Sequence, residues 1–234
     1  MKNTYTFTFQ DHAIIIQLPR SYSKKPTRHY PAVLTQDDDS LFKSIQRHDV
    51  IFIGIEPIDR AHEYTPWPAE RNPNGGGADN YLTWLTTELI PHLRHHYRIS
   101  PNNDDLTIAG ASYGGLLTLY ALLTMPDQFG NYIILSPSMW YPDIFSLFGK
   151  GSPALSNKKI YWYVGGREGM KHTKVIKPMV RNNKLAVQKI QPLLTKSHTT
   201  FIFETNKHGI HRQSFFTYYF KRGLRKLKIN KKGS

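Results

Sequence analysis

Residues 105–125 read DLTIAGASYGGLLTLYALLTM. The first five residues, DLTIA, read as a strand. The last dozen are helix-forming until Pro126 stops them. Between the two halves stands Gly110-Ala111-Ser112-Tyr113-Gly114. A serine between two glycines, at the junction of strand and helix, is the pattern of a nucleophile elbow. The turn is too tight for side chains on its flanks, so glycine is needed there. The serine is thereby lifted to the top of a sheet.

Outward from this junction the chain alternates in the same way. Residues 31–35, 50–55, 131–136, 159–164 and 200–204 are further short apolar runs of strand type. Residues 79–98 repeat Tyr81, Leu82, Leu85, Leu89 and Leu93 at helical spacing, with Asp79 as cap and Pro91 as an expected kink. Residues 173–194 contain helical material, and 212–228 form a basic amphipathic helix. Apolar strands alternating with helices predict an α/β fold, a mostly parallel sheet with helices on both faces. Ligands in such sheets bind beyond the carboxyl ends of the strands. One domain over 1–234 is expected, since no repeat or low-complexity linker divides the chain. Residues 57–79 stand apart, with four prolines and Gly75-Gly76-Gly77. Tyr64 and Trp67 suggest a functional loop there, and the glycine run reads as merely flexible.

A serine needs a base, and on such an elbow the acid and then the histidine follow in the chain. Four histidines follow Ser112: His172, His198, His208 and His211. The base belongs just past the last strand. His208 is preferred because a glycine follows it, with His211 as the alternative. The acids between Ser112 and His208 are Asp127, Asp143, Glu168 and Glu204. Glu168 is preferred, directly after the strand 159–164, with Asp143 next and Glu204 the weaker option. An oxyanion hole is expected from the amide of Tyr113 and from the loop Gln36-Asp37-Asp38-Asp39, through Asp37 or Asp38. The three carboxylates are expected to face solvent or to cap a helix.

The 234 residues include no cysteine, which excludes disulfides and Cys-ligated metal centres. No cofactor or metal is implied. No run approaches ~18 apolar residues, and MKNTYTFTFQDHAIII lacks the apolar region of a signal peptide. These readings predict a soluble cytoplasmic protein with no membrane partner. The net charge of +14 is uneven. Residues 1–112 hold 11 basic and 13 acidic side chains, while 113–234 hold 20 and 4, a net of −2 against +16. An anionic partner fits that field, and a solvated basic helix with a frayed tail fits it too. No nucleic-acid-binding signature accompanies the charge.

Several segments together resemble the esterase branch of the α/β-hydrolases, the group of enterobactin-type trilactone esterases and S-formylglutathione hydrolase. They are YPAVLTQDDDSLF (30–42), IFIGIEPIDRAHEYTPWPA (51–69), the elbow through SPSMWY (110–141), YVGGREGM (163–170) and KHGIHRQSF (207–215). IDRAHEYTPW and SPSMWY are most similar to the siderophore-esterase side. The resemblance implies an α/β-hydrolase fold and a metal-free serine esterase acting on ferric catecholate siderophores or similar esters. By position it implies Ser112 as nucleophile, His208 as base and Glu168 as acid. It places Arg60, Tyr64 and Trp140 at the substrate. The family often has Asp-Gly where this chain has Asp37-Asp38. A thioesterase or general carboxylesterase would use the same machinery. A binding protein on the same scaffold would keep the elbow without turnover. The oligomeric state stays open.

Overall fold

The computed structural model describes residues 3–45, 49–149, 153–170, 176–194 and 198–229. Eight strands form one sheet in the order β1-β2-β4-β3-β5-β6-β7-β8. They are β1 (Thr4–Phe9), β2 (His12–Gln17), β3 (Ala32–Gln36), β4 (Ile51–Ile55), β5 (Leu106–Ala111), β6 (Asn131–Leu135), β7 (Lys159–Gly165) and β8 (Thr200–Asn206). From β4 to β8 every neighbouring pair is parallel, while β1 and β2 are antiparallel additions.

Burial explains why the central strands read as unbroken apolar runs. β3, β4, β5 and β6 are buried at every residue, because helices cover both faces. The helices are α1 (Arg60–Glu63), α2 (Ala78–Trp84), α3 (Ile90–His96), α4 (Tyr113–Thr124), α5 (Met179–Ile190) and α6 (Gln213–Lys226). On one face Leu34, Ile53, Ile108 and Ile134 pack with Leu82, Leu89, Leu116 and Leu119. On the other, Val33, Phe52, Ile133 and Tyr161 pack with Phe216, Phe220 and Leu224 of α6. In α6 the buried residues recur at helical spacing, and Arg225 and Lys226 face solvent.

Three local outcomes differ from the sequence reading. The first is the N-terminal hairpin. Thr and aromatic residues alternate through TYTFTF, a strand period, and Gln10 and Asp11 turn the chain at φ 46° and 68°. The second is the long helix. It begins after Gly77, and a π-helical stretch, Leu85–Leu89, separates α2 from α3. Pro91 has no N–H to give to the preceding turn, and the wider turn accommodates it. Asp79 accepts a hydrogen bond from Tyr120 Oη instead of capping. The third is the glycine run, which is packed and not merely flexible. Gly75 is buried, and a Cβ on it would lie 2.6 Å from the side chains of Asn72 and Thr65 and 2.8 Å from Tyr141 Oη. Among the described residues no helix is long and apolar enough to cross a membrane.

Candidate active site

The carboxyl ends of β5, β6, β7 and β8 lie side by side, and each delivers one piece of the site. At the end of β5 Ser112 has φ 59° and ψ −117°, a conformation that non-glycine residues rarely take. Two things hold it there. Its amide donates to the Leu135 carbonyl at 3.0 Å, and its carbonyl accepts from Leu116 at 2.9 Å. Gly110 is obligatory, because a Cβ there would sit 2.3 Å from the Gly114 carbonyl oxygen. Ser112 stays partly exposed, with its Oγ 3.5 Å from that of buried Ser138.

Glu168 follows β7 and is buried, at 2% exposure. Each of its oxygens is committed. Oε1 accepts from Ser136 Oγ at 2.6 Å and from the Gly165 amide at 2.8 Å. Oε2 meets Nδ1 of His211 at 2.8 Å. The loops carrying the two residues are tied by a backbone bond from Arg167 to Gly209 at 2.9 Å. The His211 ring also stands edge-on to Phe216 of α6 at 4.9 Å. With Nδ1 turned to a carboxylate, the ring presents Nε2 as its free nitrogen.

His208 is the residue preferred from sequence, whereas the histidine that the structure brings against Glu168 is His211. His208 is exposed, and among the described residues its ring has no hydrogen-bond partner. Gly209, the glycine after it, serves the loop two residues before His211, the histidine that faces Glu168. His198 is an exposed turn residue, and His172 lies outside the described residues. The other acids are placed elsewhere. Asp143 is exposed beyond β6 at φ 56°. Asp127 is 98% exposed, 4.0 Å from Lys158. Glu204 is held by Arg222 and Tyr161, which keep its carboxyl below the usual range even against burial.

The β3 loop also departs from expectation. Asp37 and Asp38 take left-handed φ of 75° and 88°. Their amides are spent on the Ile55 carbonyl at 3.2 and 3.3 Å, and that of Asp37 also on Tyr64 Oη at 3.1 Å. Neither is a free oxyanion donor in this geometry. Tyr113, the first residue of α4, keeps its amide at the positive end of that helix. The carboxylates do not all face outward. Asp38 Oδ1 accepts from the Ser40 amide, but Asp37 turns inward to Arg60.

Among the expected substrate residues, Tyr64 is fully buried and touches no solvent, so it supports the loop from beneath. Burial pushes its hydroxyl well above the ordinary tyrosine range. Arg60 donates through Nε and Nη2 to both oxygens of Asp37, the latter at 2.8 Å. Trp140 is half-buried, 5.7 Å from the Tyr113 ring. With Arg71, Asn72, Tyr141 and Pro142 these two rings line a cavity of about 120 Å³ beside the elbow. Ser136 and Ser138 escaped the sequence reading. Their only signal was their place in SPSMWY, directly after a strand that ends beside the elbow. Among the described residues no group of three or more His, Asp or Glu is arranged to hold a metal ion.

Comparison with known proteins agrees with this architecture. The model of the family described as "Putative esterase" matches residues 8–226. The protein YbbA of Bacillus subtilis is 29% identical over 219 residues, covering 86% of each chain. Ferri-bacillibactin esterase BesA of the same organism is 39% identical over 75 residues, which are 32% of this chain and 25% of that protein. In fold the chain is similar to an IroE-like serine hydrolase from Shewanella oneidensis. The TM-score is 0.80 at 20% identity, over 97% of this chain and 79% of that one. With nearly its whole length matched, the chain belongs to the Putative esterase family, α/β-hydrolase-fold proteins whose class of activity is ester hydrolysis.

Proposed function

We propose that the chain is a serine esterase in which Ser112 is the nucleophile, His211 the general base and Glu168 its orienting acid. The observation that carries this reading is the 2.8 Å pairing of His211 with a buried glutamate, at the sheet edge that presents the strained Ser112. Ser112 Oγ attacks the ester carbonyl while His211 Nε2 takes its proton. Glu168 holds the Nδ1–H tautomer and stabilises the imidazolium that forms. The Tyr113 amide, at the N-terminus of α4, donates to the developing oxyanion. His211 returns the proton to the departing alcohol. Water then attacks the acyl-enzyme, with the same histidine as base.

For the substrate we infer an anionic ester with flat aromatic parts, of the ferric catecholate siderophore kind. The cavity beside the elbow is flanked by the aromatic rings of Tyr113, Trp140 and Tyr141, and exposed Arg71 and Glu70 adjoin it. Exposed Arg167, Lys207 and Arg212 stand on the loops that carry Glu168 and His211. Among the described residues none of these four cations has a salt-bridge partner. The local match to BesA, named for a ferri-siderophore, points the same way.

The test is a fluorophosphonate probe followed by a hydrolysis screen. Ser112 should label rapidly, and Ser112→Ala should abolish both labelling and turnover of ferric siderophores and short p-nitrophenyl esters. Turnover by Ser112→Ala within tenfold of the wild-type rate would end the serine reading. Labelling with turnover of neutral esters alone would leave a general carboxylesterase.

A further inference from the structure

Arg60 lies on α1, a single helical turn inside the long loop, whose first amides are capped by Asp59 Oδ1. Its guanidinium has little freedom. Nε and Nη2 engage both oxygens of Asp37, and Nη2 also donates to the Ala111 carbonyl at 3.3 Å. The Tyr64 and Tyr113 rings lie 5.7 and 5.4 Å from its central carbon. One side chain thus joins the β3 loop to the residue directly before Ser112.

Asp37 is what makes that bridge consequential. Its Oδ2 lies 3.2 Å from the point a Cβ on Gly114 would occupy, so the carboxylate rests on the first turn of α4. That turn begins with Tyr113, whose amide faces the oxyanion in the proposed reaction. A bare carboxylate there opposes the negative charge that develops in the transition state. The loop is also wound left-handed at Asp37 and Asp38, where glycine would be unstrained. A two-pronged Arg–carboxylate pair is a strong geometric restraint on such a backbone.

We propose that Arg60 is a positioning residue for the reaction, cancelling the charge of Asp37 beside the elbow and fixing the β3 loop against β5. This rests on the serine-esterase reading and differs from the expectation that Arg60 contacts the substrate. It acts through Asp37 and Ala111, so its effect belongs to kcat on any ester, charged or neutral.

A double-mutant cycle on neutral p-nitrophenyl acetate tests it. Arg60→Gln should lower kcat on the order of 10²-fold, the scale of losing one oxyanion donor, with KM changed by less than about threefold. Asp37→Asn in that background should recover about tenfold or more, because the charge that Arg60 cancels is gone. The doubly neutral variant also keeps the test readable if Arg60→Gln does not fold. Its kcat within about tenfold of wild type supports the proposal, and a hundredfold deficit overturns it. An Arg60→Gln protein that turns over the neutral ester at the wild-type kcat, with KM raised for ferric siderophores alone, would make Arg60 a substrate contact and overturn it. Failure of the underlying reading looks different: wild-type turnover would then survive Ser112→Ala, and both proposals would fall together.

Discussion

His211 Nδ1 and Glu168 Oε2 meet at 2.8 Å, although 43 residues separate them in the chain. The acid is buried and the histidine partly exposed, so the pair has a fixed end and a working end. His211→Ala should therefore lower kcat/KM on the order of 10³-fold or more. His208→Ala, a surface change, should stay within about threefold. Steady-state rates of the two variants on one ester decide between them, and a dead His208→Ala enzyme would return the base to the earlier position.

Glu168 is anchored by Ser136 Oγ and the Gly165 amide on the oxygen that His211 does not use. Glu168→Gln should cost about 10–10³-fold in kcat, less than the ~10⁴ measured for a protease triad acid. Ser136→Ala should cost about tenfold, since a hydrogen bond to a charged group is lost at the anchored end. Asp143→Asn should leave the rate unchanged. The three rates, measured at one pH, identify the acid; a collapse confined to Asp143→Asn would transfer the role.

Stability carries its own pH signature, set at β2. His12 is buried in β2, with Nε2 3.2 Å from Glu63 Oε1, Nδ1 3.0 Å from the Gln10 carbonyl and its ring stacked on Trp84 at 4.0 Å. Burial favours the neutral ring, but the hydrogen bond and charge of Glu63, with Gln10 and Asp11, outweigh it and raise its pKa above 6.5. A raised folded-state pKa means that the stabilisation is complete below the unfolded value, about 6.5. It is lost as pH rises through the folded value. The Tm difference between wild type and His12→Gln should shrink from pH 6 to pH 9. A difference that widens with pH would mean that His12 is buried neutral.

Charge at the catalytic loops should be visible in kinetics. If Arg167, Lys207 and Arg212 steer an anionic ester, its kcat/KM should fall as salt rises from about 0.05 to 0.5 M, where the Debye length contracts from roughly 14 Å to about 4 Å. A neutral ester should respond little. Replacing the three cations with glutamine should flatten the salt dependence of the anionic ester. Equal salt responses for both esters would place the basic charge away from the reaction and leave the substrate inference on likeness alone.

The chain by itself determined much of this protein. Uninterrupted apolar runs such as VIFIGI and IYWYV require burial on both faces, and glycines flanking Ser112 between a strand and a helix require a sharp turn. Those are local constraints, written in consecutive residues. Glu168 was singled out for the same reason, as a carboxylate directly after a strand, and the structure places it buried against His211. What the tertiary structure decided are matters of direction across the chain. His208 and His211 lie on one short loop, and only in the folded chain does the His211 ring turn to Glu168. Asp37, Asp38 and Asp39 look alike in sequence, yet only Asp37 turns inward, because Arg60, 23 residues later, is brought against it. Tyr64, read as a substrate contact, lies beneath the loop, since α1 folds its ring toward Tyr81 at 5.4 Å. Side-chain orientation depends on the neighbour that packing supplies, and residues far apart in the chain become neighbours only once the sheet has ordered its strands.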